Sequence, residues 1–390
     1  MISKKNCLNI MAFGCGFITV FHLNCVINPI ISIAFVLILA FLLIIFEHGK
    51  IRIKEISSYL KWYGMFTALV FFSLLYTPNS INPEFVIRRV AIIFVIGLIS
   101  VAIVNNKERY KILCCGLAQG AVFLSVLSIL LEGIAFGGGI RVGTETVGSA
   151  VLLSEIALYG FITEFYLFLE EKKKIYFIEA AFLLVVGFLT ASRRGPVLCV
   201  ATAMMMILFD TNIKKSKRIR YLLIALVSSL VVILYLLESG LFIQIVGDRF
   251  TTLLSVMNGS GIDESLMVRH SMKSYAMQLF FEKPILGYGA HGFAYMYYSN
   301  GELLLYSHNG FTEILSCYGL IGFALFYLPF IKLIRPIISM LNNKSSLLTN
   351  CILITAVISI FSEWFSIMFL SPMAVVLIGC GSKLILSRRL

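Results

Sequence analysis

The sequence predicts an all-α, polytopic transmembrane helical bundle of about twelve spans, with one large extracytoplasmic loop. Three observations carry that expectation. The chain is 59% hydrophobic and only 13% charged. Its apolar runs are separated by short loops in all but one place, and its Lys and Arg residues fall mostly on one side of the resulting map. A soluble globular domain is about 25% charged, so most of this chain has lipid as its solvent. Its 390 residues are better counted as crossings of about 20 apolar residues each than as two or three soluble domains.

The expected spans lie near 8–27, 28–46, 61–77, 90–104, 112–133, 148–169, 175–190, 196–209, 221–238, 309–331, 347–363 and 365–386. The first contains His22 and Asn24 and follows Lys4 and Lys5 in the manner of a signal peptide. No small-residue cleavage site follows it, so it is expected to be retained. With the N-terminus inside, only nine of the 32 Lys and Arg residues fall on the outer side. These are Arg88, Arg89, Arg141, Arg193, Arg194, Arg249, Arg269, Lys273 and Lys283. The other 23 crowd the inner loops, most densely at Lys172 to Lys174 and Lys214 to Arg220. The positive-inside rule asks for that asymmetry, and it puts both termini in the cytoplasm. The net charge of +12 then points to anionic lipid at the inner face and not to nucleic acid.

No internal repeat or low-complexity tract interrupts the chain, which reads as one membrane domain over 1–390 with a single insertion at 239–307. Asp248 caps a short expected helix through about Met257, which Asn258 to Gly261 breaks. A second helix is expected from Glu264 to Phe281, with Leu266, Met267, Tyr275, Met277, Leu279 and Phe280 recurring unevenly along the membrane surface. Pro284, Gly287 and Gly289 end it. The nine cysteines avoid this loop, so no disulfide framework or zinc site is implied.

Chemistry is sought first among the outer cations. Arg141 sits in FGGGIRVGTETVG, Arg193 and Arg194 sit in TASRRGP, and Arg269 and Lys273 share a helical face four residues apart. Arginine is costly near lipid and is kept for a pairing or a function. Its planar fork suits phosphate or pyrophosphate, so the set forms a candidate anion pocket, with headgroup contact as the other reading. His308 is followed by Asn309-Gly310 and then at once by a hydrophobic segment. That places an imidazole at a helix N-terminus, where the dipole favours the neutral, proton-accepting form; an incidental loop histidine is the alternative. Tyr288, Phe293, Tyr295, Tyr297, Tyr298 and Tyr306 suit either sugar stacking or an interfacial aromatic belt. No metal-ligand spacing and no phosphate-binding glycine loop ending in Lys-Ser or Lys-Thr is present, so neither a metal nor a nucleotide cofactor is expected.

Taken in order, these pieces resemble the bacterial O-antigen polymerase and O-antigen ligase superfamily. The resemblance runs from Arg141-x-Gly143 through Ser192-Arg193-Arg194-Gly195, the Arg269-bearing loop helix and P-I-L-G-Y-G (Pro284 to Gly289). It closes on H-N-G-F-T-E-I-L-S-C-Y-G-L-I-G (His308 to Gly322), the most specific piece. Two features depart from the family: Tyr275 or nothing stands where a Trp often follows the loop-helix Arg, and the segment after Arg141 lacks a frequent Pro-Asn.

The resemblance implies a C-type glycosyltransferase-like architecture in a bacterial inner membrane. It implies outer-face transfer of glycan from undecaprenyl pyrophosphate, without a nucleotide sugar. His308 and Arg269 are then the expected catalytic residues, with Arg141, Arg193, Arg194, Lys273 and Asn309 on the pyrophosphate or glycan. The implied partners are an undecaprenyl-pyrophosphate-linked oligosaccharide, membrane lipids and, as a candidate, a chain-length regulator protein. The preferred activity is polymerisation of O-antigen or capsule repeat units; the near alternative is ligation of the chain to lipid A core. A flippase for the same lipid-linked sugars is the alternative from another class. It would put its polar residues at mid-membrane, whereas the notable cations here collect at the outer ends.

Overall fold

Backbone in lipid must satisfy its own hydrogen bonds, and a helix does so within a single segment. The computed structural model describes residues 4–21, 29–46, 53–77, 83–133, 141–190, 192, 194–210, 213–214, 216–220, 223, 264–299, 306–342 and 345–387, and among them there are helices and no strands. In order they are α1 (Lys4–Phe21), α2 (Pro29–Phe46), α3 (Ile53–Tyr59), a π-helical turn (Leu60–Gly64), α4 (Met65–Phe72), α5 (Glu84–Ile103), α6 (Lys107–Glu132), α7 (Ala150–Glu171), α8 (Lys174–Leu189) and α9 (Arg194–Phe209). After the gap come α10 (Glu264–Glu282), α11 (Gly292–Ser299), α12 (Gly310–Tyr327), α13 (Ile334–Leu341), α14 (Leu347–Ser362) and α15 (Pro372–Leu386).

Helices occupy every expected span except 221–238, of which only Leu223 is described. Four are long and apolar enough to cross a membrane by length and composition: α5, α6, α7 and the run Gly310–Leu341. The expectation of twelve crossings is therefore met only in its coarser form, a helical membrane protein. The shorter apolar helices, such as α14 with 16 residues and α15 with 15, fall below the roughly 20 residues of a full crossing. The expected helix at 248–257 lies outside the described residues.

Local sequence sets the ends. Asn106 caps α6 by accepting from the Arg109 amide at 2.9 Å, and Ser346 caps α14 by accepting from Thr349 at 3.2 Å. Helices α1 and α6 meet where Gly16 and Gly116 face each other's backbone. A Cβ on either would stand 2.1 Å from a carbonyl oxygen, of Leu113 or of Phe13. Small residues at a crossing allow that approach when no hydrophobic force separates helix from lipid.

The feature that positions the site is a break in α12. Gly319 adopts φ 61 and ψ −161 inside that helix, which frees the carbonyls of Ser316 and Cys317 and the amides of Leu320 and Ile321. The turn at 284–289 takes up all four groups. Tyr288 N donates to Ser316 O at 2.9 Å and Gly289 N to Cys317 O at 2.7 Å; in return Leu320 N donates to Pro284 O at 2.8 Å and Ile321 N to Ile285 O at 3.3 Å. Buried backbone groups left unpaired are costly, so the two segments hold each other in place. Gly287 has φ 67, and a Cβ on Gly319 would lie 2.3 Å from Ile285 O.

Helix α10 packs against α12 as part of the same junction. Its buried residues are Met272, Ala276 and Leu279, a face at helical spacing. Met267, expected on the apolar face, is exposed. The uneven pattern seen in sequence thus resolves into a protein-facing stripe with Arg269 and Lys273 at its upper end. Substituting Gly319→Ala forces a side chain into a backbone region open essentially to glycine alone, at a cost of about 1–3 kcal/mol, and drives a methyl into the turn. Thermal unfolding of the detergent-solubilised protein is expected to shift down by several degrees; an unchanged midpoint would contradict the junction's role.

Candidate functional site

The site is built on the start of α12. Asn309, extended at φ −151, caps the helix by accepting from Thr312 N at 3.0 Å. Glu313 reaches back to accept from Ser307 N at 2.7 Å, while Ser307 Oγ donates to Asn309 O at 2.9 Å and Thr312 Oγ1 meets Ser307 Oγ at 3.1 Å. Gly310 N donates to the Glu363 carbonyl at 2.7 Å. These bonds bracket His308 on both sides and hold it at φ 54, a left-handed conformation that a non-glycine residue adopts only at a cost. The spacing H-N-x-x-T-E is therefore a cap that aims an imidazole.

The imidazole lies against Tyr306, with ring centroids 4.3 Å apart. Burial is the largest influence on it, followed by the charges of Arg269, Arg194 and Lys273. Together they lower its pKa from 6.5 to about 4. The ring is neutral at neutral pH, as its place at a helix start suggested, with burial and three cations as the causes. Arg194 opens α9 and donates through Nη1 to the Phe365 carbonyl. Arg269 and Lys273 stand one turn apart on α10, both half-buried.

Of the residues expected from sequence, the fold thus gathers Arg194, Arg269 and Lys273 around His308. Asn309 is buried and its side-chain oxygen is engaged in the cap. Arg141 donates through Nε to Thr190 O at 2.8 Å, on the segment that leads to Arg194. The loop that follows it wraps a carboxylate of the chain itself, with Glu132 accepting from the amides of Gly143 at 2.7 Å, Thr144 at 3.1 Å and Thr146 at 2.6 Å. Arg141 therefore ties that loop to the strand of chain leading into the Arg194 turn. Arg193 lies outside the described residues.

Beside the cluster is a cavity of about 320 Å³, enclosed by α5, the first turns of α7 and α9, residues 306–318 and residues 366–370. Glu155, Arg194 and Tyr306 line it together with Arg89 and His291, against an apolar wall that includes Phe85 and Leu370. Arg89 Nε donates to Leu370 O at 3.0 Å. Burial raises the Tyr306 phenol above its ordinary pKa, against the lowering pull of Arg194. Glu155 is a residue that attention to outer cations passed over. Its signal was a carboxylate inside the apolar run 148–169, where a charge needs a reason.

The loop tyrosines divide. Tyr297 is buried, stacked on Phe293 at 5.4 Å and tilted against Tyr275 at 5.7 Å. Tyr288 is buried between Glu282, to which its hydroxyl donates, and Lys283, whose ammonium lies 4.1 Å over the ring. They brace the loop, while Tyr306 faces the cavity. Among the described residues no group of three His, Cys, Asp or Glu side chains is arranged to hold a metal ion.

The three cations make one electrostatic consequence measurable. Removing a positive charge from beside His308 with Arg269→Gln is expected to raise its titration midpoint from about 4 toward 6.5. Histidine-selective NMR, assigned with His308→Ala, reads it directly. A midpoint that stays at its wild-type value would separate Arg269 from the site.

Comparison with known proteins bears on the same region. No curated protein matches the chain. Residues 180–327 match the family model described as O-antigen ligase, a stretch that contains Arg194, Arg269, Lys273, His308 and both halves of the α12 junction. The match covers that part of the chain and supports the resemblance to the O-antigen polymerase and ligase superfamily.

Proposed function

We propose that the protein polymerises lipid-linked polysaccharide repeat units, transferring glycan from undecaprenyl pyrophosphate to the hydroxyl of an acceptor sugar at the outer face of the inner membrane. The observation that carries the reading is the convergence of Arg194, Arg269 and Lys273 on a neutral His308. Three cations close together repel one another, and each loses hydration on burial. An anionic ligand relieves both costs. Pyrophosphate is such a ligand, and neutralising its developing charge as it leaves is the largest catalytic contribution open to a site without a metal.

Displacement at the anomeric carbon then proceeds in line and inverts its configuration. The acceptor oxygen forms its bond to carbon as the bond from carbon to the pyrophosphate oxygen breaks. His308 takes up the hydroxyl proton or orients the hydroxyl for attack. Helix α10 and the 284–289 turn act as the outer cover of the site in this reading.

Two outcomes test it. In a strain deleted for this gene, complementation with His308→Ala is expected to leave single repeat units on the surface lipid, as deletion itself does. Normal long chains would remove His308 from the mechanism. Polymer stranded on the carrier lipid in the deletion would instead identify a ligase, and units trapped inside a flippase. Arg269→Gln and Arg194→Gln are each expected to lower transfer by about 100-fold or more in reconstituted membranes; wild-type rates in both would dismiss the pyrophosphate site.

A further inference from the structure

We propose that Glu155 is the group that accepts the proton of the attacking hydroxyl, which leaves His308 the orienting part. The inference rests on the glycosyl-transfer reading above and names a further catalytic residue for that reaction. Its ground is the placement of groups around the cavity. Glu155, Arg194 and Tyr306 line the cavity, whereas His308, 4.3 Å from the Tyr306 ring between centroids, is not among its lining residues. A hydroxyl bound in the cavity therefore meets the carboxylate of Glu155 before the imidazole.

Of the other carboxylates nearby, one is committed and one lies off the cavity wall. Glu313, also on the wall, accepts from Ser307 N at 2.7 Å as part of the cap. Glu363 is buried beneath Gly310 and does not line the cavity. Among the described residues the Glu155 carboxylate is engaged by no hydrogen bond and by no ion pair within 4.0 Å.

A carboxylate beside an anion site works against binding of that anion. It would be selected against unless its negative charge has a task once the anion is bound, and a side chain of this type in an apolar helix marks such a task. Taking a proton is one that requires the charge. As the acceptor oxygen bonds to the anomeric carbon, its proton passes to a Glu155 oxygen. The electron pair of the breaking bond leaves with the pyrophosphate, held by Arg194, Arg269 and Lys273. The protonated carboxyl then returns its proton to water through the open cavity. No other reactant is needed, and charge on the cavity wall falls as charge on the leaving group rises, so the two changes offset.

The cavity volume of about 320 Å³ is at the small end of ligand sites, enough for the reacting sugar and not for a whole repeat unit. The acceptor's remaining sugars then lie outside it, and recognition of the reacting hydroxyl depends on Glu155, Tyr306 and their neighbours.

The test uses full-length protein in proteoliposomes, with lipid-linked repeat units extracted from the deletion strain as substrate. Binding of undecaprenyl pyrophosphate is measured separately by native mass spectrometry. Glu155→Gln is expected to lower transfer by about 100-fold or more while binding undecaprenyl pyrophosphate as well as or better than wild type, since a negative charge has left the anion site. Glu155→Asp is expected to retain part of the rate, and it stands in if the amide variant fails to accumulate. Weakened pyrophosphate binding in Glu155→Gln would mean that the residue only steadies Arg194, and an unchanged transfer rate would mean no role; either overturns the proposal and leaves the glycosyl-transfer reading intact. If the wild-type protein neither extends the units nor binds undecaprenyl pyrophosphate, that reading falls and Glu155 falls with it.

Discussion

Four backbone hydrogen bonds exchanged between the 284–289 turn and the break at Gly319 hold the site together. A continuous helix would have spent those groups on itself. Opening it at one glycine turns α12 into a receptor for the end of α10, and α10 carries Arg269 and Lys273. The same helix begins with the cap that aims His308. One element thus fixes the imidazole at its start and the two cations through its middle. Arg194 comes independently, from the start of α9 through its bond to the Phe365 carbonyl. A shift of about 1 Å in a catalytic constellation costs rate steeply, which is why a rigid backbone exchange is a better support here than side-chain contacts alone.

The charges assembled by that scaffold are unfavourable in isolation. Three cations lie around a histidine which, burial and their field together, hold in its neutral form. On the proposed reading, an entering pyrophosphate offsets that field and makes His308 more basic than in the empty site. The histidine would then respond to occupancy, because the groups that suppress it are those proposed to bind the donor. Glu155 has the opposite relation to the donor: it is repelled by the anion and, on the proposal above, relieved of its charge during the reaction. On that proposal, pairing a cation set with one carboxylate across a small cavity separates leaving-group stabilisation from proton removal, two tasks that a single side chain could not perform together.

Much of this was legible in the residues themselves. The apolar runs located the helices because lipid leaves few alternatives to helical backbone, and Gly-x-Gly after Pro284 marked the turn. Asn309-Gly310 running straight into a hydrophobic segment marked a helix start, since Asn is a favoured N-cap residue. Two things were not legible. The bond from Arg141 Nε to the Thr190 carbonyl, a backbone acceptor 49 residues away, has no sequence signature. Glu155 lay in plain view within an apolar run, but its meaning depends on which residues of α9 and of the 306–318 segment come to face it. The junction at Gly319 was half visible: its glycines announced tight backbone, while the exchange of hydrogen bonds needed both partners in space.

The central claim is that Arg194, Arg269 and Lys273 form one binding site for the pyrophosphate of a lipid carrier. A cryo-electron microscopy map of the full-length protein in nanodiscs, prepared with undecaprenyl pyrophosphate, examines it most directly. The expected result is density for both phosphates within hydrogen-bonding reach of the three cations, with the Tyr306–His308 pair beside it. Phosphate density at another face of the protein, with the cluster empty, would contradict it.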